Sequence, residues 1–456
     1  MPKVAIAGAG LVGALNACYF AERGWDVEVY EYRRDIRTME HVPGRSINLA
    51  LSHRGKCALE AIGLKDYIVN QGVELHARLV HGKDGKTFSR QPYGQPGEHI
   101  VSINRRHLNE AMITQAEKKP TVKFFFEHKV QSVNIEKKEL IVINVNDSEV
   151  HVKADLILGC DGAYSAVRKS LSNYPGFNYS QEYIAHGYIE LNILPKNGEY
   201  ALEPNVFHLW PRGHFTLIAL ANRDKTFTVT IFAPFSVFEE EMSTPEDVES
   251  FFKENFRDAY ELLGRCVRSV FQRSSARHFA FCASTITHIY KGIDNKDTCA
   301  KKSYKRYNSH KCVDFQCQPH HFADFVLLTG DAAHAMVPFY GQGMNCGFED
   351  CLVLSETLDD CNDDICKTLS MYSEKRVKDA HAIIDLAMYN YEELKDLVNH
   401  PSYKLRKKLD LFLNRIFPKS WIPLYSMVTF TRIPYHQVME DRGWQDEVRS
   451  IHKVFL

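Results

Sequence analysis

Residues 4–13 read Val4-Ala5-Ile6-Ala7-Gly8-Ala9-Gly10-Leu11-Val12-Gly13. A short apolar run ends in G-x-G-x-x-G. Leu15, Cys18, Tyr19 and Ala21 then recur on one face of a helical pattern, and Gly24 fits its end. A second strand, Val27-Glu28-Val29-Tyr30, leads to Glu31, 18 residues after Gly13. That spacing is close to the roughly 20 residues expected of a dinucleotide-binding βαβ unit. Gly8 permits the tight turn, Gly10 lets a pyrophosphate approach the backbone, and Gly13 lets helix and strand pack closely. The pyrophosphate would rest on the helix N-terminus, with Glu31 on the ribose hydroxyls. Alone, the motif does not separate NAD from FAD.

Two later segments repeat the pattern of an apolar strand ending in an acid and glycines. Short strands separated by polar turns fill residues 122–159 and suggest β-hairpins. They end in Gly159-Cys160-Asp161-Gly162-Ala163-Tyr164-Ser165, followed by Arg168. The strand Phe325–Leu328 runs into Thr329-Gly330-Asp331-Ala332-Ala333-His334, then Pro338 and Gly341-Gln342-Gly343-Met344-Asn345, with a helix expected from about Gly347. Glycines at a helix start present backbone N–H groups to an anionic ring or phosphate. Asp331 is suited to a ribitol hydroxyl.

At about 150 residues per domain, 456 residues suggest about three domains. The chain is 45% hydrophobic and 25% charged, which excludes wholesale disorder, collagen-like repeats and coiled coil. A net charge of −1 supplies no global field for nucleic acid or an anionic membrane. Twelve scattered cysteines are too sparse for a disulfide scaffold and fit a reducing compartment. No apolar run reaches the roughly 18 residues that span a bilayer, and the first strand follows Met1 too closely for a signal peptide. A soluble intracellular protein is the expectation.

Residues 186–194, 206–210, 215–221 and 226–233 read as strands of an antiparallel sheet. Residues 246–256 and 260–266 read as helices, and the chain is helical after Phe348. Lys291–Lys311 carries seven Lys or Arg against Asp294 and Asp297, a local net of +5, and reads as an exposed loop. Its cysteines and histidines lack a C-x-x-C pair, so no metal site is expected. On the helix over 377–399, Ile383, Leu386, Asn390 and Glu393 share a face. A polar pair there is either a buried structural pair or a ligand site.

G-x-G-x-x-G, then Asp-Gly with a downstream Arg, then Gly-Asp-Ala-Ala-His resembles the single-component FAD-dependent aromatic hydroxylases. Longer stretches share the resemblance: 44–55, 159–165, 338–345, Met388-Tyr389-Asn390-Tyr391 and 423–432. It covers about residues 3 to 445. It implies an α/β fold in which a Rossmann-like FAD-binding domain (1–73, 101–180 and 315–360) is interleaved with an antiparallel β-sheet substrate domain (74–100 and 181–285). A basic insertion loop (286–314) and a helical C-terminal region (361–456) complete it. By resemblance Val12, Tyr30, Glu31, Arg33, Ala50, Arg105, Val130, Tyr164, Asp331, Met344 and Asn345 line the FAD, beside Gly8, Gly10 and Gly13. The implied substrate is an amino acid carrying an aromatic amine, its amino-acid end met by Arg78, Tyr93, Asn390 and Tyr425. Arg78 can grip a carboxylate bidentately. Glu393 joins this set, and Phe339 packs either on the substrate ring or in the core.

The implied reaction consumes NADPH and O₂ and hydroxylates the ring through a flavin C4a-hydroperoxide, so no side-chain nucleophile is expected. Two alternatives stand: a hydroxylase of phenols, or a flavin-binding protein whose turnover the insertion impairs. In animal members a hydrophobic C-terminal tail anchors the enzyme in the mitochondrial outer membrane. This chain stops at Leu456, and membrane association is expected only through such a tail.

Overall fold

The computed structural model describes residues 1–40, 48–264, 267, 310–395 and 401–454. Positions 44–47 of the first long motif and 286–309 of the expected basic loop lie outside the described residues.

Lys3–Ala7 lies at the centre of a six-stranded sheet, between Leu156–Gly159 and Asp26–Glu31, all parallel. Val122–Phe126 and Val326–Leu328 extend it, also parallel, and His321–Phe322 adds a short antiparallel edge. Val4–Ala7, Leu156–Gly159 and Val326–Leu328 are buried throughout, as parallel strands covered on both faces must be. Alternation along the first strand divides the core. Val4 and Ile6 pack with Leu15, Leu108 and Phe348, residues of three helices, Leu11–Glu22, Arg105–Ala116 and Gly343–Asp360. Ala5 and Ala7 pack with Val130, Leu140 and Val152 of a three-stranded hairpin sheet and with Val167. Ala7, Gly159 and Leu328 all end their strands at one edge, so the three acid-and-glycine segments emerge side by side.

The second large sheet has seven strands: His310–Gln318, Asn178–Ile193, Phe227–Pro234, Thr216–Ala221, Val206–Pro211, Ala77–His81 and Phe88–Pro92. The pairing is antiparallel except between Val206–Pro211 and Ala77–His81. Its two faces differ in chemistry. Leu191, Val229, Ile231, Ala219 and Trp210 bury one face against the helices Pro245–Asn255 and Arg257–Leu263. Register places Arg78, Ile218, Thr230, Glu190, Phe232 and Tyr188 on the other. Ile218, Phe232 and Tyr188 meet Phe339, Tyr391 and Tyr425 there.

Four sequence expectations change. The strand expected from 186 begins at Asn178, because its first half pairs with His310–Gln318. Residues 310–314, expected as the end of a loop, are therefore strand. The helix expected near Gly347 starts at Gly343, and the one expected over 377–399 spans Ile365–Lys395.

Candidate active site

Two of the three motif glycines in the turn after the first strand have no room for a side chain. Gly8 has φ +95°, and a Cβ there would lie 2.7 Å from the Cys160 carbonyl oxygen. A Cβ on Gly13 would lie 1.9 Å from the Gly8 oxygen. Gly10 differs: its Cβ would meet nothing within 4 Å. Gly10 caps the helix Leu11–Glu22, so the open side of the turn adjoins unpaired helix N–H groups, the setting a pyrophosphate needs. Glu31 closes the turn, accepting from Ala9 N at 2.9 Å and Arg33 N at 3.0 Å. These residues fit FAD.

The three segments interlock. Val12 packs against Gly330, where a Cβ would sit 2.8 Å from Val12 Cγ2, and equally against Gly347. Asn16, buried on the first helix, donates to Cys160 Sγ at 3.6 Å and Thr329 Oγ1 at 3.4 Å. Arg168 donates to the Ala332 carbonyl at 2.7 Å. Asn345 accepts from Ser52 N at 2.8 Å and donates to the carbonyls of Ala50 (2.8 Å) and Gly341 (2.9 Å). Asp331 is exposed at the start of Asp331–His334, and Met344 is buried in the first turn of Gly343–Asp360.

Other expected cofactor residues are placed differently. Tyr30 stacks on Phe125 at 4.9 Å and donates to Glu28 at 2.7 Å, and Val130 packs in the same apolar cluster. Both side chains are core residues. Asp161 accepts from Ala166 N at 2.6 Å and Val167 N at 3.3 Å, in the first turn of the short helix Ala166–Leu171 that Ser165 caps. Burial pushes its carboxyl above the usual range, against those hydrogen bonds. Tyr164, Arg105 and Arg33 are exposed. Arg105 opens Arg105–Ala116, and Arg33 lies over the Tyr32 ring.

The sequence reading missed a buried charge network behind the third segment. Asp350 accepts from Gly330 N at 2.8 Å, pairs with His334 at 2.5 Å, and binds Arg376 at 2.7 Å. Arg376 also reaches Asp379 and Glu349, and Glu349 takes both oxygens to Arg54 at 2.8 Å. Burial alone would push Asp350 up, but His334 and Arg376 hold it below the carboxylate range. His334 is raised in turn, Asp350 overcoming burial. The available signal was two adjacent acids, Glu349 and Asp350, inside the otherwise apolar stretch Cys346–Leu354.

The expected substrate residues do converge. Arg78, buried on its strand, lies with its guanidinium carbon 4.2 Å from the Tyr425 ring centroid, and Nη1 is 3.7 Å from Glu393 Oε1. Tyr93 stacks on Tyr425 at 5.4 Å. Its buried hydroxyl neighbours Tyr425 and Arg78, yet no partner sits at hydrogen-bonding geometry. Burial keeps this phenol protonated, hence a donor. Asn390 donates to the Phe339 carbonyl at 2.9 Å, and Phe339 stacks on Tyr391 at 3.9 Å. Of the polar pair on the long helix, Asn390 thus holds the 338–340 turn, while Glu393 faces the arginine. Phe339 belongs to the apolar cluster at this end of the sheet.

Known proteins share the family and the fold of this chain. Residues 1–288 and 285–387 match the family described as FAD binding domain. The fold is shared with 2-methyl-3-hydroxypyridine-5-carboxylic acid oxygenase (TM-score 0.66, 18% identity, 88% of this chain and 95% of that one). It is shared also with p-nitrophenol 4-monooxygenase PnpA from Pseudomonas putida DLL-E4 (TM-score 0.67, 16% identity, 95% and 100%). The family match, together with the relatives that follow, makes the chain an FAD-dependent aromatic monooxygenase. Kynurenine 3-monooxygenase of Caenorhabditis briggsae is 65% identical over 99% of this chain and 94% of its own length. That of Sus scrofa is 44% identical over 98% and 88%, and that of Yarrowia lipolytica 38% over 98% and 93%. The chain belongs to the kynurenine 3-monooxygenase family. Among the described residues, no helix is long and apolar enough to cross a membrane.

Proposed function

We infer that the protein hydroxylates L-kynurenine at ring position 3, consuming NADPH and O₂, in tryptophan degradation toward quinolinate and NAD. The family's setting on the cytosolic face of the mitochondrial outer membrane belongs to the same reading. The observation that carries it is the Arg78–Tyr93–Tyr425–Glu393 cluster at the end of the sheet that faces the 338–345 turn. A neutral phenol needs no such group, whereas a zwitterionic amino acid does.

Bound FAD would supply the redox chemistry, reducing equivalents from NADPH and activation of O₂, with one oxygen going to the ring and the other to water. The glycine turn at 8–13 would hold the pyrophosphate, Glu31 the ribose, and Asp331 and the 343–345 helix start the flavin end. Arg78 and the Tyr93 hydroxyl take the substrate carboxylate, and Glu393 takes the ammonium. Tyr425, fixed between Arg78 and Tyr93, holds that clamp in place. Phe339 and Tyr340 give the aromatic ring an apolar wall, and Asn390 fixes that wall through the Phe339 carbonyl. Together these residues orient the ring and keep water out, which limits loss of reducing equivalents as peroxide.

The test is NADPH oxidation by FAD-loaded protein with and without L-kynurenine, the product identified by mass. Substrate-stimulated oxidation with 3-hydroxykynurenine formed is expected. Protein that binds L-kynurenine without hydroxylating it overturns the reading.

A further inference from the structure

The helix Pro401–Ile416 is packed with its polar side inward. Lys407, Asp410 and Asn414 share a face at steps of three and four. Lys407 donates to Gln91 Oε1 at 2.7 Å, and Asp410 accepts from the Trp421 indole at 3.2 Å. Buried Asn414 donates to the Trp421 carbonyl at 2.7 Å and accepts from the Gln95 side chain. Leu405, Leu409, Phe412 and Ile416 recur at steps of four, three and four on the opposite face. They are 70%, 37%, 60% and 50% exposed. A helix on a globular protein ordinarily turns its apolar stripe to the core. This stripe runs outward for about 16 Å at 1.5 Å per residue.

The charge around it is also distinctive. Lys408, Arg415 and Lys419 are exposed beside the stripe. Residues 401–419 carry six Lys or Arg against a single Asp, in a chain whose net charge is −1. We propose that this face is a membrane-interface surface that lays the helix on an anionic phospholipid bilayer. The four apolar side chains sit at the acyl boundary, and the basic flank meets the headgroup phosphates. Charge favours a bilayer over a second copy, since self-pairing sets this basic segment against its own like charges. Trp444, 50% exposed and in ring contact with Trp421 at 5.6 Å, adds an amphipathic aromatic suited to an interface. The contact is built from the folded domain and needs no C-terminal tail. It also lies close to the substrate end: Gln91, held by Lys407, pairs in register with Arg78.

The test is co-sedimentation of the FAD-loaded full chain with phosphatidylcholine vesicles, and with vesicles containing about one-third phosphatidylserine, at low and physiological salt. Wild type is expected to bind the anionic vesicles, more strongly at low salt. Leu409→Asp with Phe412→Asp, and separately Lys408→Glu with Arg415→Glu, should each lower the bound fraction about tenfold or more. Flavin absorption and melting temperature should stay at wild-type values. Lys137→Glu, on an exposed hairpin turn elsewhere, should bind as wild type does. Wild-type protein left in the supernatant overturns the proposal, as does equal binding by wild type and the Asp variant. A wild-type dimer that the Asp variant converts to monomer also overturns it, because a second copy then covers the face.

Discussion

The guanidinium carbon of Arg78 lies 4.2 Å from the centre of the Tyr425 ring, which comes from 347 residues further along the chain. A sheet strand supplies the cation, and a short C-terminal helix supplies the surface that holds it flat. Stacking holds the guanidinium flat, so that its edge presents a planar fork of N–H groups with the geometry of a carboxylate. A lysine keeps the charge and loses both the stacking and the fork. Arg78→Lys is therefore expected to raise KM for L-kynurenine about 10- to 100-fold, the loss of roughly 1.5–3 kcal/mol of charge-assisted hydrogen bonding. Steady-state kinetics with saturating NADPH measure it, and an unchanged KM contradicts the clamp.

Tyr93 offers a cleaner separation of binding from stability. Among the described residues its hydroxyl has no partner at hydrogen-bonding geometry, so deleting it costs little internal hydrogen bonding. Tyr93→Phe should leave the melting temperature unchanged or slightly higher, while KM rises about fivefold to tenfold. A fall of several degrees in melting temperature would show that the hydroxyl is structural.

Asp350 joins Gly330, His334 and Arg376 at full burial. Asp350→Asn leaves Arg376 and His334 short of a counter-charge, with an expected cost of about 3–5 kcal/mol and weaker FAD retention. The pH dependence has a definite sign. A carboxyl held below its usual 3.8 adds stability above that pH, and the contribution is lost as the pH falls further. An imidazole raised above 6.5 adds stability that is complete below 6.5 and is lost as pH rises through its elevated folded value. Wild type should show both flanks in melting temperature, and the variant should show them flattened.

Glu190 sits on the site-facing side of the seven-stranded sheet with Oε1 unpartnered. Burial pushes its carboxyl from 4.5 to about 7, with Arg105 pulling the other way. Here the folded pKa exceeds the unfolded one for an acid, so stability falls as pH rises from 4.5 to about 7. Glu190→Gln should raise the melting temperature by a few degrees at pH 8 and leave it unchanged at pH 4. Calorimetry at the two pH values decides it.

Gly13→Ala places a methyl 1.9 Å from the Gly8 carbonyl oxygen. No rotamer relieves a backbone clash, so the turn must open. FAD binding should be lost or weakened at least 100-fold, read from flavin fluorescence on titration. Gly10→Ala is the informative contrast, because its Cβ meets nothing within 4 Å among the described residues. That variant should fold normally and lose FAD affinity alone.

Local pattern was enough for much of this protein. Strand, glycine turn, helix and acid over residues 4–31 each follow from nearest-neighbour chemistry: apolar runs, φ-permissive glycines and a helix start. The three acid-and-glycine segments could therefore be located in the sequence, and parallel pairing of their strands then brings them to one edge. Tertiary structure decided what the sequence pattern could not. Whether Asn390 is structural or ligand-facing depended on the Phe339 carbonyl 51 residues away. The roles of Tyr30 and Val130 as core residues depended on Phe125 and the hairpin sheet. The extended strand from Asn178 depended on a distant partner at His310–Gln318, since strand length follows pairing rather than propensity. The Asp350 network needed four helices in place before its charges met. The outward face of Pro401–Ile416 is legible as an amphipathic stripe, but periodicity gives a stripe without a direction. Only the contacts of Lys407 and Asn414 show which side of that helix is turned to the protein.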